Sequence, residues 1–224
     1  MIDYTLTRSK RKTIGLYVRD GRAYVRAPLN CPKVEIDKFV VSKEKWLTDK
    51  LAKSQNRADK REAFELNYGV QILFRGAEYP IVAKDGKRTG FDGEQFYLPP
   101  SLDTGQIKEV CIQIYRRLAK VHLKERVALY AKQMGVSPTA IKITSAKTRW
   151  GSCSSRRSIN FSWRLIMACD DVIDYVVVHE LAHLIQMNHS PRFWAIVEGV
   201  LPDYKGRQVR LKELQRRLSN EDWG

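Results

Sequence analysis

Residues able to do redox or metal chemistry are few in this chain: four histidines and four cysteines among 224 residues. Cys31, Cys111, Cys153 and Cys169 stand far apart, with no C-x-x-C pair among them. That spacing argues against a disulfide framework and fits free thiols in a reducing cytoplasm. Long apolar runs are absent too. The run Val176-Val177-Val178 is cut off by His179 and Glu180, so no membrane span is expected. The first residues, MIDYTLTRSKRK, have no apolar stretch behind their charges and are not expected to be a signal peptide. No internal repeat and no low-complexity segment is visible. Acidic residues are in deficit, 25 against 40 basic ones, for a net charge of +15. The excess is +6 over residues 1–105 and +9 over 106–224, so it is spread along the chain. A surface of this sign attracts nucleic acid or other polyanions. No nucleic-acid-binding motif accompanies it, and solubility is the plainer reading of the charge.

What is present divides at about residue 105. The first part, 1–105, has mainly β character. TIGLYVRDGRAYVRAP holds two alternating runs joined by Asp20-Gly21, a two-residue hairpin signal. Ile36, Phe39, Val40, Lys43, Trp46, Leu47 and Leu51 then follow helical spacing. GVQILFRGAEYPIVAKDG and EQFYLPP are expected to be short strands, with Pro99-Pro100 closing this part. The second part, 106–224, is expected to place helices around a small sheet. Ile107, Val110, Cys111, Ile114, Leu118 and Val121 form one helical stripe that Gly135 should stop. IKITSAKTRWGSCSS and INFSWRL look like strands; in the latter, Ile159, Phe161, Trp163 and Leu165 alternate with polar residues. Asp170 and Asp171 are candidate N-caps for the next helix, and Ser190-Pro191 opens another. A closing helix carries Leu211, Leu214 and Leu218 on one side. The expected class is α+β.

Three of the four histidines fall within eleven positions, in VVVHELAHLIQMNHSPRFW. On a helix, His179 and His183 lie one above the other on the same face and can hold one metal ion. Glu180, one step round, can reach a water on that metal. This is the H-E-x-x-H pattern of zinc hydrolases, with Glu as general base. A catalytic zinc usually takes a third protein ligand and leaves one position to water. His189 is the leading candidate and Glu198 the runner-up. An unbroken helix would turn His189 about 240° away from His183, so the helix must end between them. Asn188, which tolerates a left-handed backbone, is the expected breaking point. The histidine spacing equals that of metzincins, but Gln186 stands where their glycine would be, which counts against that family.

TRWGSCSSRRSINFSWRLI, VIDYVVVHELAHLIQMNHSPRFWAIV and LPDYK together closely resemble the YgjP-like metallopeptidase family, relatives of the SprT-like and WLM zinc peptidases. The resemblance is dense over residues 140–205 and looser before them. It implies a small zincin-like domain behind a β-rich N-terminal part, with His179, His183 and His189 as ligands of one Zn2+ per chain and Glu180 as the catalytic residue. The expected function is hydrolysis of protein or peptide substrates by a zinc-activated water. A metal-dependent nucleotide pyrophosphatase and a protease acting on nucleic-acid-associated proteins are the alternatives. In the Arg149–Ser154 segment, Ser152 or Cys153 could be read as a nucleophile, but the histidines are already committed to metal. The better reading is a strand beside the cleft, bent at Gly151, that adds an extended substrate as a further strand. Arg149 and Tyr204 are candidate helpers for the oxyanion.

Overall fold

The computed structural model describes residues 3–19 and 21–224. Its chain separates into two compact units. One takes in residues up to Phe64 together with Arg217–Asp222 and Gly224, and the other Glu65–Arg216 with Trp223. The sheets and helices together are of the mixed α+β class. Among the described residues, no helix is long and apolar enough to cross a membrane.

The first unit is built on a three-stranded sheet of β1 (Tyr4–Ser9), β2 (Gly15–Arg19) and β3 (Arg22–Pro28), in the order β1-β3-β2. β2 and β3 pair antiparallel, with Arg19 opposite Arg22. Of the expected Asp20-Gly21 turn, Gly21 has φ of +71°, while Asp20 lies outside the described residues. β1 pairs parallel with β3. The expected single helix is two: α1 (Lys33–Ser42) and α2 (Glu44–Glu62), interrupted at Lys43, whose φ of −112° and ψ of 14° are not helical. The interruption shifts the apolar register. Ile36, Val40 and Leu47 join Ala23, Val25 and Ala27 in the core, whereas Trp46 is 42% exposed.

In the second unit, β4 (Gln71–Phe74), β5 (Ala77–Ala83), β6 (Gly90–Phe91) and β7 (Phe96–Leu98) form one sheet in the order β4-β5-β7-β6. Arg75 and Gly76 turn the β4–β5 hairpin, both with positive φ (48° and 83°) as a two-residue turn of the primed type requires. Pro99 and Pro100 lie inside this unit, ahead of α3 (Thr104–Met134). That helix starts on a capping box between Asp103 and Gln106 and stops at left-handed Gly135, φ 65°. Its buried face runs through Ile107, Cys111, Ile114, Tyr115, Ala119, Leu123 and Val127. Val121, expected on this stripe, is 58% exposed.

A second sheet of β8 (Ala140–Thr144), β9 (Gly151–Cys153) and β10 (Ser158–Ser162) has β10 in the middle, parallel to β8 and antiparallel to β9. The alternation of INFSWRL ends at Ser162. Trp163–Met167 form a 3-10 helix in which every residue is buried. Three helices follow: α4 (Asp170–Ala182), α5 (Pro191–Val200) and α6 (Tyr204–Leu218). The N-cap of α4 is Cys169; Asp170 and Asp171 sit in its first turn, where their charge complements the helix dipole.

Candidate active site

Helix α4 carries the site, and the second unit fixes it from several sides. Arg75 in the β4–β5 turn donates from Nε to Asp170 Oδ1 at 2.8 Å. His122 on α3 brings Nε2 to 3.2 Å from the same carboxylate. The guanidinium of Arg75 holds the Asp170 carboxyl below its ordinary range, while burial lowers the His122 imidazole. A Cβ on Gly76 would stand 2.8 Å from Cys169 Cβ, so the hairpin packs closely against the residue capping α4. One turn on, buried Asp174 accepts from Arg126 Nε (2.6 Å), Arg126 Nη2 (2.7 Å) and the Tyr130 hydroxyl (2.9 Å), all on α3. On the α6 side, Arg207 donates to the Asp171 carbonyl at 3.0 Å and Gln208 to the Tyr175 hydroxyl at 2.8 Å.

With α4 held this way, His179 and Glu180 lie in its last turn and His183 at its C-cap. The helix does end between His183 and His189, but not through Asn188, which has no positive φ. The break comes earlier. The amides of Leu184 and Ile185 bond to carbonyls three residues back, Leu181 and Ala182, each at 3.0 Å. After this tightening, one last four-residue bond, from the Gln186 amide to the Ala182 carbonyl at 2.9 Å, ends the helix. His183 Nδ1 lies 3.3 Å from the Gln186 carbonyl, and Gln186 Nε2 donates to Asn188 Oδ1 at 2.7 Å. Gln186, where metzincins carry glycine, thus takes part in the turn. Ser190 is the N-cap of α5, with Pro191 in the first turn.

The result brings the three sequence-predicted histidines together. One ligating atom from each of His179, His183 and His189 lies within 4.8 Å of the others, and His189 Nε2 is 3.1 Å from His179 Nε2. Glu198 does not belong to this group. Burial drives the His179 imidazole down to about 3, helped by the neighbouring His183 and His189, and burial lowers His183 as well. Neutral imidazoles with converging nitrogens are what a metal needs. The contact between His183 Nδ1 and the Gln186 carbonyl is the kind that fixes a ligand's tautomer and leaves Nε2 for the metal. The donor set therefore fits a metal ion.

Two further residues hold the imidazoles, and neither was singled out from the sequence. Phe193 of α5 is fully buried, with its ring centroid 4.6–4.9 Å from each of the three histidine rings. Trp194 stacks on His189 at 5.8 Å, and Tyr204 stacks on Trp194 at 5.4 Å. Their signal is the PRFW run that starts two residues after the third histidine.

Glu180 is 5% exposed, and its Oε2 has no hydrogen-bond partner. Burial pushes its carboxyl up to about 7 against the opposing pull of Arg149. Gly151 explains how it fits. A Cβ there would sit 2.5 Å from Glu180 Oε1 and 2.6 Å from Cγ, so β9 can approach α4 only with glycine at this position. The expected bend at Gly151 is instead a strand residue in close contact. A cleft of about 310 Å3 is lined by Gly151, Ser152, Cys153, Met187, Glu180 and the three histidines. A second of about 200 Å3 shares Gly151, His179 and Glu180 and adds Trp150, Tyr175, Val176 and Leu211. Arg149, just ahead of β9, is exposed.

Residues 12–214 match the family model described as YgjP-like, metallopeptidase domain. The chain belongs to the YgjP-like metallopeptidase family. None of the curated proteins matches it. Among solved structures, this YgjP-like chain is similar to the metallopeptidase zymogen of Pyrococcus abyssi abylysin, at 23% identity over 40% of this chain and 90% of that one, with a TM-score of 0.38. It is also similar to the metallopeptidase zymogen of Methanocaldococcus jannaschii jannalysin, at 18% identity over 42% of this chain and 95% of that one, with a TM-score of 0.37.

Proposed function

We propose that this YgjP-like chain is a zinc peptidase in which His179, His183 and His189 hold one Zn2+ and Glu180 is the general base. The observation that carries the reading is the buried, unpartnered Glu180 carboxylate beside three converging imidazoles on one cleft. When bound, zinc supplies Lewis acidity toward a carbonyl oxygen and lowers the pKa of water. The chain's own residues do the rest. Glu180 accepts the proton of the attacking water at a carboxylate oxygen and passes it to the leaving amine. Its burial raises its basicity toward neutral pH. β9 is an outer strand of its sheet, which supports binding of an extended peptide by strand addition along Gly151–Cys153. Trp150, Tyr175 and Leu211 offer an apolar recess for a substrate side chain. Arg149, whose charge Glu180 senses, is the proposed helper for the oxyanion. Tyr204, also a candidate from the sequence, stands behind Trp194 and supports His189 through it. The four free cysteines support a cytoplasmic setting.

Metal analysis of purified protein should find one zinc per chain, and His183→Ala should lose it, because two remaining ligands hold a catalytic zinc poorly. Near-stoichiometric zinc in that variant would rule out the site. Peptides and nucleoside triphosphates assayed side by side should show turnover of peptides only.

A further inference from the structure

On the opposite edge of the sheet that bears β9, strand β8 and helix α3 enclose a groove of about 780 Å3. Arg116, Arg117, Lys120 and Lys124 of α3 and Lys142 of β8 line it, and Ile141 and Ile143 complete it. Arg116, Lys120 and Lys124 follow one another at four-residue intervals, so they form a single row along α3, each step advancing about 6 Å. The buried stripe of α3 faces the other way, which leaves all four of its cations exposed. Both arginines are held by neutral acceptors: Arg116 donates to Ser145 Oγ at 2.7 Å, and Arg117 to the Thr89 carbonyl at 2.7 Å. Their direction is set but their charge is not compensated. None of the five cations pairs with a carboxylate among the described residues. Like charges at this spacing repel one another, so the free protein gains nothing from gathering them.

We propose that this groove binds the phosphate backbone of a nucleic-acid duplex without sequence preference. Five uncompensated cations, two of them guanidinium forks, match closely spaced phosphates. The lining has no aromatic side chain on which an unpaired base could stack, which disfavours single strands. An acidic peptide adding to the β8 edge fits less well. The strand has only five residues and carries an exposed lysine at its centre, a device that discourages strand addition. The proposal is independent of the peptidase reading.

The test is polarisation titration of the full chain against a short, labelled, mixed-sequence DNA duplex over a series of KCl concentrations. Lys120→Gln/Lys124→Gln should lower the slope of log K against log salt by about 1.8, at roughly 0.9 per lost phosphate contact. Lys120→Arg/Lys124→Arg should keep the slope. Lys45→Gln/Lys53→Gln, on exposed α2, should change it little, and all variants should melt with the wild type. Equal losses from the α2 pair and the groove pair would mean diffuse attraction by net charge and would overturn the site. So would tighter binding of a single-stranded oligonucleotide, or of tripolyphosphate alone. Displacement of the duplex by a polyglutamate peptide of equal charge would assign the groove to acidic protein instead.

Discussion

Helix α4 buries two carboxylates, Asp174 at 7% exposure and Glu180 at 5%, and treats them oppositely. Asp174 receives three hydrogen bonds, two from the fork of Arg126 and one from Tyr130. Glu180 has a buried oxygen with no partner, a strand with no side chain pressed against it, and three histidines beside it. Burying an acid without partners costs free energy that burying a satisfied one largely recovers. A fold gains nothing from the first arrangement unless the group is needed free. On the reading proposed above, Asp174 is a carboxylate that holds α4 in place and Glu180 one that α4 holds ready for chemistry.

The largest effect is expected on the Glu180 side. Gly151→Ala would force the carboxylate away from the added Cβ, and a displacement on the order of 1 Å can cost about a hundredfold in rate. Zinc content should stay near one per chain, because no ligand is touched. Peptide turnover and metal analysis on the same sample check both halves, and full activity would break the contrast. On the Asp174 side, Tyr130→Phe removes one of three hydrogen bonds to a charged group, worth about 1.5 kcal/mol. For a protein of this size that is roughly 3–6 °C in Tm, measurable by calorimetry, with turnover per folded molecule unchanged.

The smallest effect concerns Asp170, one turn before Asp174. Its folded carboxyl is depressed, chiefly by the hydrogen bond from Arg75 and also by the charges of Arg75, His122 and Arg126. A depressed carboxylate contributes stability that is present above its unfolded value of about 3.9 and lost as pH falls through the folded one. Arg75→Met should thus destabilise at neutral pH, with the difference from wild type vanishing in acid. Both partners are nearly half exposed, so the neutral-pH effect should not exceed about 1 kcal/mol. Thermal melts at pH 7 and below pH 3 check the sign.

The histidine cluster was legible because i, i+4 spacing and a break before His189 are local properties of the chain. The place of the break was not. Asn188 was the visible signal, yet the helix closes through short-range bonds of Leu184 and Ile185, which have no distinctive residue types. Ile159 and Phe161 alternate as a strand should, but the apolar run continues into a 3-10 helix buried on all sides, where alternation has no meaning. From the sequence Gly151 suggests a bend, because its real constraint, Glu180, lies 29 positions away. The polar partners of Asp174 were unreadable for the same reason: Arg126 and Tyr130 sit on another helix, 48 and 44 positions off.

The most direct test sets Glu180→Gln beside Asp174→Asn and measures both Tm and peptide turnover. Glu180→Gln should lose about 10²–10⁴-fold in turnover while melting at or above the wild-type temperature, since a buried charge without partners has been removed. Asp174→Asn should leave Arg126 without its anion, cost about 3 kcal/mol, and keep turnover in the molecules that remain folded. The reverse pattern, a Glu180→Gln protein that melts early and still hydrolyses peptides, would contradict the assignment of Glu180 to chemistry.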